Sequence, residues 1–419
     1  MTFRYRSALI ALPLAAATLA ACSPAETGQT SQTSVQASAT ETTTAAEAHE
    51  GEKTQVSSLS PRIVFAREGG LTTIDPATGE VIDEVARKGF LRLSSAGDGR
   101  HVMIVDGDAF RTFDSGLITD GHGDHNHYYE QAPALLDTTY TAPEAGHVVA
   151  HDGLTALFSD GTGEVTILKS EDIADPNAQT TTFSTGEAHH GVAVALEDGS
   201  VVHTVGTEDE RHTIRHTSAE GTTLAETTNC PGIHGEAAAA GGALVFGCTN
   251  GPVVFKNGEF VKLPSEGYQR NGNLVGDEES PIVLGDNKVD EDAEHERPTT
   301  VILIDTENES TRFVELGSSY WFRSLGRGPR GEALVLTYDG NLAVIDQNTG
   351  EITNRIPVIA PWEEKEEWQE PGPILKVHEG IAYVTDAENR ELVTVDLFNG
   401  VVENRQKLSF APVEMEIVG

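Results

Sequence analysis

From Pro61 onward the apolar residues come in short runs, each closed by turn residues, and no long stretch keeps the 3.6-residue period of a helix. Val102-Met-Ile-Val105, Val301-Ile-Leu-Ile304 and Ala333-Leu-Val-Leu336 are such runs. Between runs stand Asp98-Gly99, Asp106-Gly107, Asp160-Gly161, Asp198-Gly199, Asn250-Gly251, Asn257-Gly258 and Asp339-Gly340. Asx-Gly pairs tolerate the positive φ that tight hairpin turns require, so the pattern predicts an all-β chain of hairpins.

A repeated sentence runs through this β text. Gly70-Leu-Thr-Thr-Ile-Asp75-Pro-Ala-Thr-Gly79 matches Gly340-Asn-Leu-Ala-Val-Ile-Asp346-Gln-Asn-Thr-Gly350, and Glu391-Leu-Val-Thr-Val-Asp396-Leu-Phe-Asn-Gly400 is a weaker copy. In each, a strand ends at Asp, turns, and leaves through Gly into another strand. A four-strand unit recurring at about 45 residues fits a single β-propeller over 61–419, whereas a sandwich needs no repeat. Candidate inner strands begin near Leu91, His147, His190, His234, Asn273, Phe322, Pro373 and Pro412, which gives about eight blades. Seven is the alternative, because the Asn273 unit is weakly marked. Val413–Val418 lacks following partners and Arg62–Val85 lacks an inner strand, so the two are expected to share one blade that closes the ring. The acidic stretch 277–297 and the segment Trp362-Glu-Glu-Lys-Glu-Glu-Trp368 are expected to be solvated loops.

The first sixty residues read differently. Arg4 and Arg6 precede an apolar run, Ala8 to Ala21, that ends in Leu19-Ala20-Ala21-Cys22-Ser23-Pro24. This is a secretory signal over 1–21, too short for an ordinary membrane-spanning helix. The small residues before Cys22 resemble a bacterial lipobox, which implies cleavage there and a lipid on the thiol. The alternative is a plain signal peptide. Residues 22–60 are rich in Ser, Thr, Gln and Glu and poor in large apolar groups, the composition of a flexible tether. The chain is expected to be exported and lipid-anchored to the outer face of the cytoplasmic membrane, or to be periplasmic or at the cell surface.

Charge removes one class of function. With 66 acidic and 28 basic residues the formal net charge is −38. Such a surface repels nucleic acid and draws in cations, although acidity by itself does not show metal binding. If Cys22 carries lipid, Cys230 and Cys248 remain as an even pair in an oxidising compartment, where a disulfide is expected. A zinc site using both sulfurs with His234 is the alternative.

The histidines carry the chemistry. Twelve of the fifteen lie between His101 and His234. His122, Asp124, His125 and His127 fall within six residues, and Gly121 and Gly123 make that segment read as a loop. His147, His190 and His234 recur 43 and 44 residues apart. In a propeller, equivalent positions of successive blades form a ring about the axis, so these three imidazoles are expected at one end of the central channel. Three histidines suit zinc and leave a fourth position open for Glu236 or water; His189 is the substitute if the register shifts by one. Copper and nickel also accept imidazole. Strand parity places the 122–127 segment at the opposite end of the channel, which predicts two separate metal sites.

His122-Gly-Asp-His-Asn-His-Tyr-Tyr129, His189-His-Gly191 and Cys230-Pro-Gly-Ile-His234-Gly-Glu236 with Gly247-Cys248 together resemble the AztD family of zinc metallochaperones. The resemblance spans Pro61 to the C-terminus. It implies a propeller that binds zinc outside the cytoplasm and hands it to the solute-binding protein of a zinc ABC importer. The residues alone also allow a metal-dependent hydrolase or lactonase-type propeller, because an open zinc position can activate water. No Ser-His-Asp pattern or phosphate-binding Gly-rich loop accompanies them, and a binding and transfer protein is the expectation.

Overall fold

The computed structural model describes residues 51–123 and 125–419, with the backbone but not the side chain of His122. The expected signal segment, Cys22, most of the expected tether and Asp124 lie outside the described residues. Among the described residues the fold is all-β, with two short 3-10 turns at Ser170–Asp172 and Ala240–Gly242.

Eight four-stranded antiparallel sheets follow one another along the chain. Sheet I combines Pro412–Val418 with Arg62–Arg67, Gly70–Ile74 and Val81–Ala86, so the last strand pairs with an early one, Ile63 facing Ile417 and Phe65 facing Met415. Sheets II to VIII each take four strands in chain order, apart from a hairpin inserted in sheet II. Their first strands are Arg92–Ser95, Ala145–His151, Ala193–Ala195, Glu236–Ala239, Leu274–Val275, Leu325–Arg327 and Leu375–His378. The repeated sentence has one local cause. Asp75, Asp346 and Asp396 each accept two backbone N–H bonds on a carboxylate oxygen, and Gly79, Gly350 and Gly400 then take the positive φ that completes the turn.

The core is divided among the gaps between sheets. Val64 and Leu71 of sheet I pack on Leu93 and Val102 of sheet II, and equivalent aliphatic clusters join each sheet to the next. The eighth cluster, with Tyr383 and Leu392 against Ile63 and Phe65, joins sheet VIII to sheet I.

Three expectations need correction. The stretch 277–297 is not one loop: Ile282–Asp286 inside it is a fully buried strand of sheet VI, because Ile-Val-Leu outweighs the acidic flanks. The segment from His122 to His127 is not an irregular loop either. Leu117–His122 and His125–Glu130 form an antiparallel hairpin between the third and fourth strands of sheet II, His122 opposite His125 and Asp120 opposite His127. Gly123, at φ 65°, begins the chain reversal, while Gly121 sits in the strand opposite Asn126. The free edge of this hairpin draws in Thr54–Val56, from the segment expected to be tether, which pairs with Tyr128, Tyr129 and Glu130. Ordered structure therefore starts before Pro61.

Candidate metal centre

His147, His190 and His234 stand at or just before the first strands of sheets III, IV and V, and the fold brings them together. His147 lies where the pairing of Ala145–His151 slips between Ala145 and Val148, a bulge that re-aims its side chain. His190 and His234 precede Ala193–Ala195 and Glu236–Ala239. One nitrogen from each ring lies within 4.8 Å of the others, and the ring centroids are 4.8, 5.3 and 5.9 Å apart. In a tetrahedral zinc site with Zn–N near 2.0–2.1 Å the nitrogens stand about 3.3 Å apart, so the rings need only draw in slightly.

Each imidazole is fixed through Nδ1 by a different acceptor. His147 donates to the carbonyl of Gly191 at 2.9 Å, His234 to that of Gly272 at 2.7 Å, and His190 to Asp160 Oδ2 at 2.6 Å. Nε2 is left as the ligand atom in all three, and a carboxylate or carbonyl on the far nitrogen is the usual way a metal-binding histidine is oriented. Asp160 fits because Gly146 has no side chain: a Cβ there would lie 2.2 Å from Asp160 Oδ1. The pairing was hidden in the sequence, where Asp160-Gly161 reads simply as a turn. Nothing in the sequence marks the carbonyls of Gly191 and Gly272.

Burial disfavours the charged form of two of the rings. Burial, together with the neighbouring His190 and His234, holds the His147 imidazole well below its ordinary range. Burial also lowers His234 to about 4, with His190, Arg270 and Arg211 adding to the effect. A neutral imidazole is the form that binds metal. Glu236 lines the same cavity, and burial raises its carboxyl to about 8. The cavity, about 610 Å³, also takes in Arg92, Arg323 and Lys376. A larger one of about 890 Å³ lies among Tyr338, Trp362, Glu370 and Asp386 and contains no histidine.

The other candidates fall elsewhere. His189 faces away from the cluster: its Nδ1 donates to the Glu187 carbonyl at 2.8 Å, its Nε2 is 3.0 Å from Thr204 Oγ1, and its ring packs on Phe158. His125 and His127 share one side of their strand, with Nε2 atoms 3.2 Å apart, and Gln55 donates to His127 Nδ1 at 3.3 Å. Cys230 and Cys248 are bonded to each other and fully buried. The bond ties together the two segments that also meet at His234 N and Gly247 O, 3.0 Å apart. The thiolate alternative at His234 is thereby excluded.

Fold and cluster define a class: an all-β protein of propeller-like architecture carrying three converging imidazoles. No protein-family model matches the chain. It is a homologue of the zinc chaperone AztD of Citrobacter koseri, 26% identical over 340 residues that span 78% of each protein. The crystal structure of Citrobacter koseri AztD superposes with a TM-score of 0.74 at 25% identity, covering 86% of this chain and 98% of that one. Its apo form gives 0.73 at 24%. Dihydro-heme d1 dehydrogenase NirN, with a TM-score of 0.54 at 16% identity over 85% of this chain and 74% of that one, shares the fold alone. The homologue is named as a chaperone, a binding and transfer protein and not an enzyme. No helix among the described residues is long and apolar enough to cross a membrane.

Proposed function

We propose that this chain is an extracytoplasmic zinc metallochaperone. It holds one zinc ion on His147, His190 and His234 and passes it to the solute-binding protein of a zinc ABC importer. The observation that carries this reading is the convergence of three imidazoles, each with its second nitrogen already engaged. Without a thiolate, and with one coordination position free, incoming ligands can displace outgoing ones stepwise. The 122–127 hairpin, with His122, Asp124, His125 and His127, supplies a second and weaker site at the other end of the sheets. The eight sheets form a closed eight-bladed ring over 61–419, sealed by the pairing of Pro412–Val418 with Arg62–Arg67. Lipid on Cys22, with a tether over the residues that follow, would concentrate the protein near a membrane-bound transporter.

Metal content of tag-free protein, by elemental analysis, tests the binding step: about one zinc retained by the wild type and none by the His147→Ala variant. Zinc-loaded protein mixed with the importer's apo binding protein and excess chelator tests the transfer step. Delivery that survives the chelator supports hand-over between proteins, and delivery abolished by it reduces the role to a zinc buffer. Substrate turnover by the metal-loaded protein would instead favour the hydrolase reading.

A further inference from the structure

Three arginines surround the histidine cluster of a chain that carries an excess of 38 negative charges. Arg211 Nη1 donates to the carbonyl of His190 at 3.0 Å. Arg270 runs beside the bond between His234 and Gly272: a Cβ on Gly272 would lie 3.1 Å from Arg270 Nε and 3.6 Å from His234 Nδ1. Arg92 opens into the cavity shared by His147 and His234, its guanidinium 5.9 Å from the Trp368 ring centre. None of the three forms an ion pair among the described residues. Other cations of the cavity do, Arg323 with Glu414 and Lys376 with Glu416. The acidic groups near the three are otherwise occupied. Asp160 is bonded to His190 and Asp286 to Asn273, and Glu236 lines the cavity without joining the three converging nitrogens.

Positive charge around a cation site is self-defeating unless an anion joins it. An imidazole must be neutral to ligate a metal and so contributes no charge, which leaves a divalent ion beside three guanidinium groups strongly positive. We infer that the metal on His147, His190 and His234 takes its remaining ligand from outside the chain, and that this ligand is a carboxylate drawn in by Arg92, Arg211 and Arg270. The inference rests on the metal-binding reading above. A guanidinium presents a planar fork that matches a carboxylate better than a spherical halide, and zinc accepts carboxylate oxygen at about 2.0–2.2 Å. A small free carboxylate and an Asp or Glu side chain of a docking protein offer the same chemistry.

The test uses the whole tag-free protein loaded with cobalt(II) or zinc, with sodium acetate compared to sodium chloride at constant ionic strength. Acetate is expected to shift the cobalt d–d absorption and to tighten apparent zinc affinity by about fivefold, with chloride doing neither. The Arg92→Gln, Arg270→Gln double variant should lose both responses. In acetate-free buffer it should bind zinc at least as tightly as the wild type, because repulsion has been removed. Arg92→Gln alone, at an exposed position, should give an intermediate response and guards against a folding defect in the double variant. Equal effects of chloride and acetate, or an undiminished acetate response in the double variant, would overturn the inference. A wild type that binds no metal would instead remove the reading beneath it. Acetate that slows transfer to the apo binding protein assigns the position to a partner's side chain, and unchanged transfer assigns it to a free carboxylate.

Discussion

The molecule gathers imidazoles in two ways. On the 122–130 hairpin they are neighbours in sequence, brought together by one turn and one strand, and His125 and His127 meet because alternate residues share a side. At His147, His190 and His234 they come from three sheets, and each ring is oriented by a separate acceptor, two of them provided by the next sheet. The first arrangement is as rigid as a hairpin with a glycine at its tip. The second is as rigid as the packing between sheets. Ordering that is already present before binding does not have to be supplied by the ligand, so the two should differ in affinity even with similar donors.

Alanine substitution breaks the comparison most directly. His147→Ala, His190→Ala or His234→Ala should weaken the tightest zinc binding by more than about 100-fold, beyond the ~10–100-fold expected for loss of an outer-sphere partner. His125→Ala and His127→Ala should leave that tight step within about tenfold and remove only a weaker one. Competition titration against a chromogenic chelator reads both, and equal losses in the two sets would mean the regions act as one site.

The disulfide lies beneath only one of the two regions. Cys230→Ser with Cys248→Ser should cost about 2–4 kcal/mol in denaturant unfolding, and should loosen zinc at the cluster more than at the hairpin. A stability unchanged within error would show that the buried contacts of Ile233, Phe246 and Val253 hold that junction without the bond.

Asp160 sharpens the comparison within the cluster. Asp160→Asn keeps the shape and removes the charge that accepts the His190 proton, so zinc affinity should fall by about 10–100-fold without loss of fold. Affinity that does not move would leave the carboxylate with only its place beside Gly146.

Acid should produce the smallest change. His203 and His234 titrate near 4 in the folded protein and His147 also well below its usual range, all three chiefly through burial. Below about pH 6.5 the unfolded chain therefore takes up protons that the folded one refuses, and apo-protein stability should decline from there to about pH 4. Glu236 acts in the opposite sense. Its folded carboxyl titrates at about 8, so the stability it contributes below its unfolded value near 4.5 fades as pH rises through 8. Urea unfolding of the apo protein at pH 5, 6.5 and 8 should show Glu236→Gln gaining on the wild type as pH rises. A constant difference would place Glu236 in more polar surroundings.

The contrast also explains what could be read beforehand. Sheet boundaries were legible because Asx-Gly turns and the strand-Asp-turn-Gly repeat act locally, and a regular spacing of 43 and 44 residues carries three histidines to equivalent places. Even the junction of Pro412–Val418 with Arg62–Arg67 followed from two incomplete units. The acceptors at Gly191 and Gly272 were not legible, because a backbone carbonyl has no residue type. Asp160 and the arginines at 92, 211 and 270 look like any turn or surface residue until the sheets are packed. The hairpin was misread for a local reason: two glycines suggested irregular chain, whereas one serves the reversal and the other sits in a strand.

The pairing of Pro412–Val418 with Arg62–Arg67 has a consequence for how the molecule comes into being. Synthesis proceeds from the N-terminus, so Arg62–Arg67, among the first strands to emerge, has no neighbour on one side until some 345 further residues have been made. Throughout that interval its amide edge is open to mispairing, and contacts this distant in sequence form slowly. A nascent chain stalled before Pro412 would hold all three clustered histidines and still lack the strand that completes sheet I.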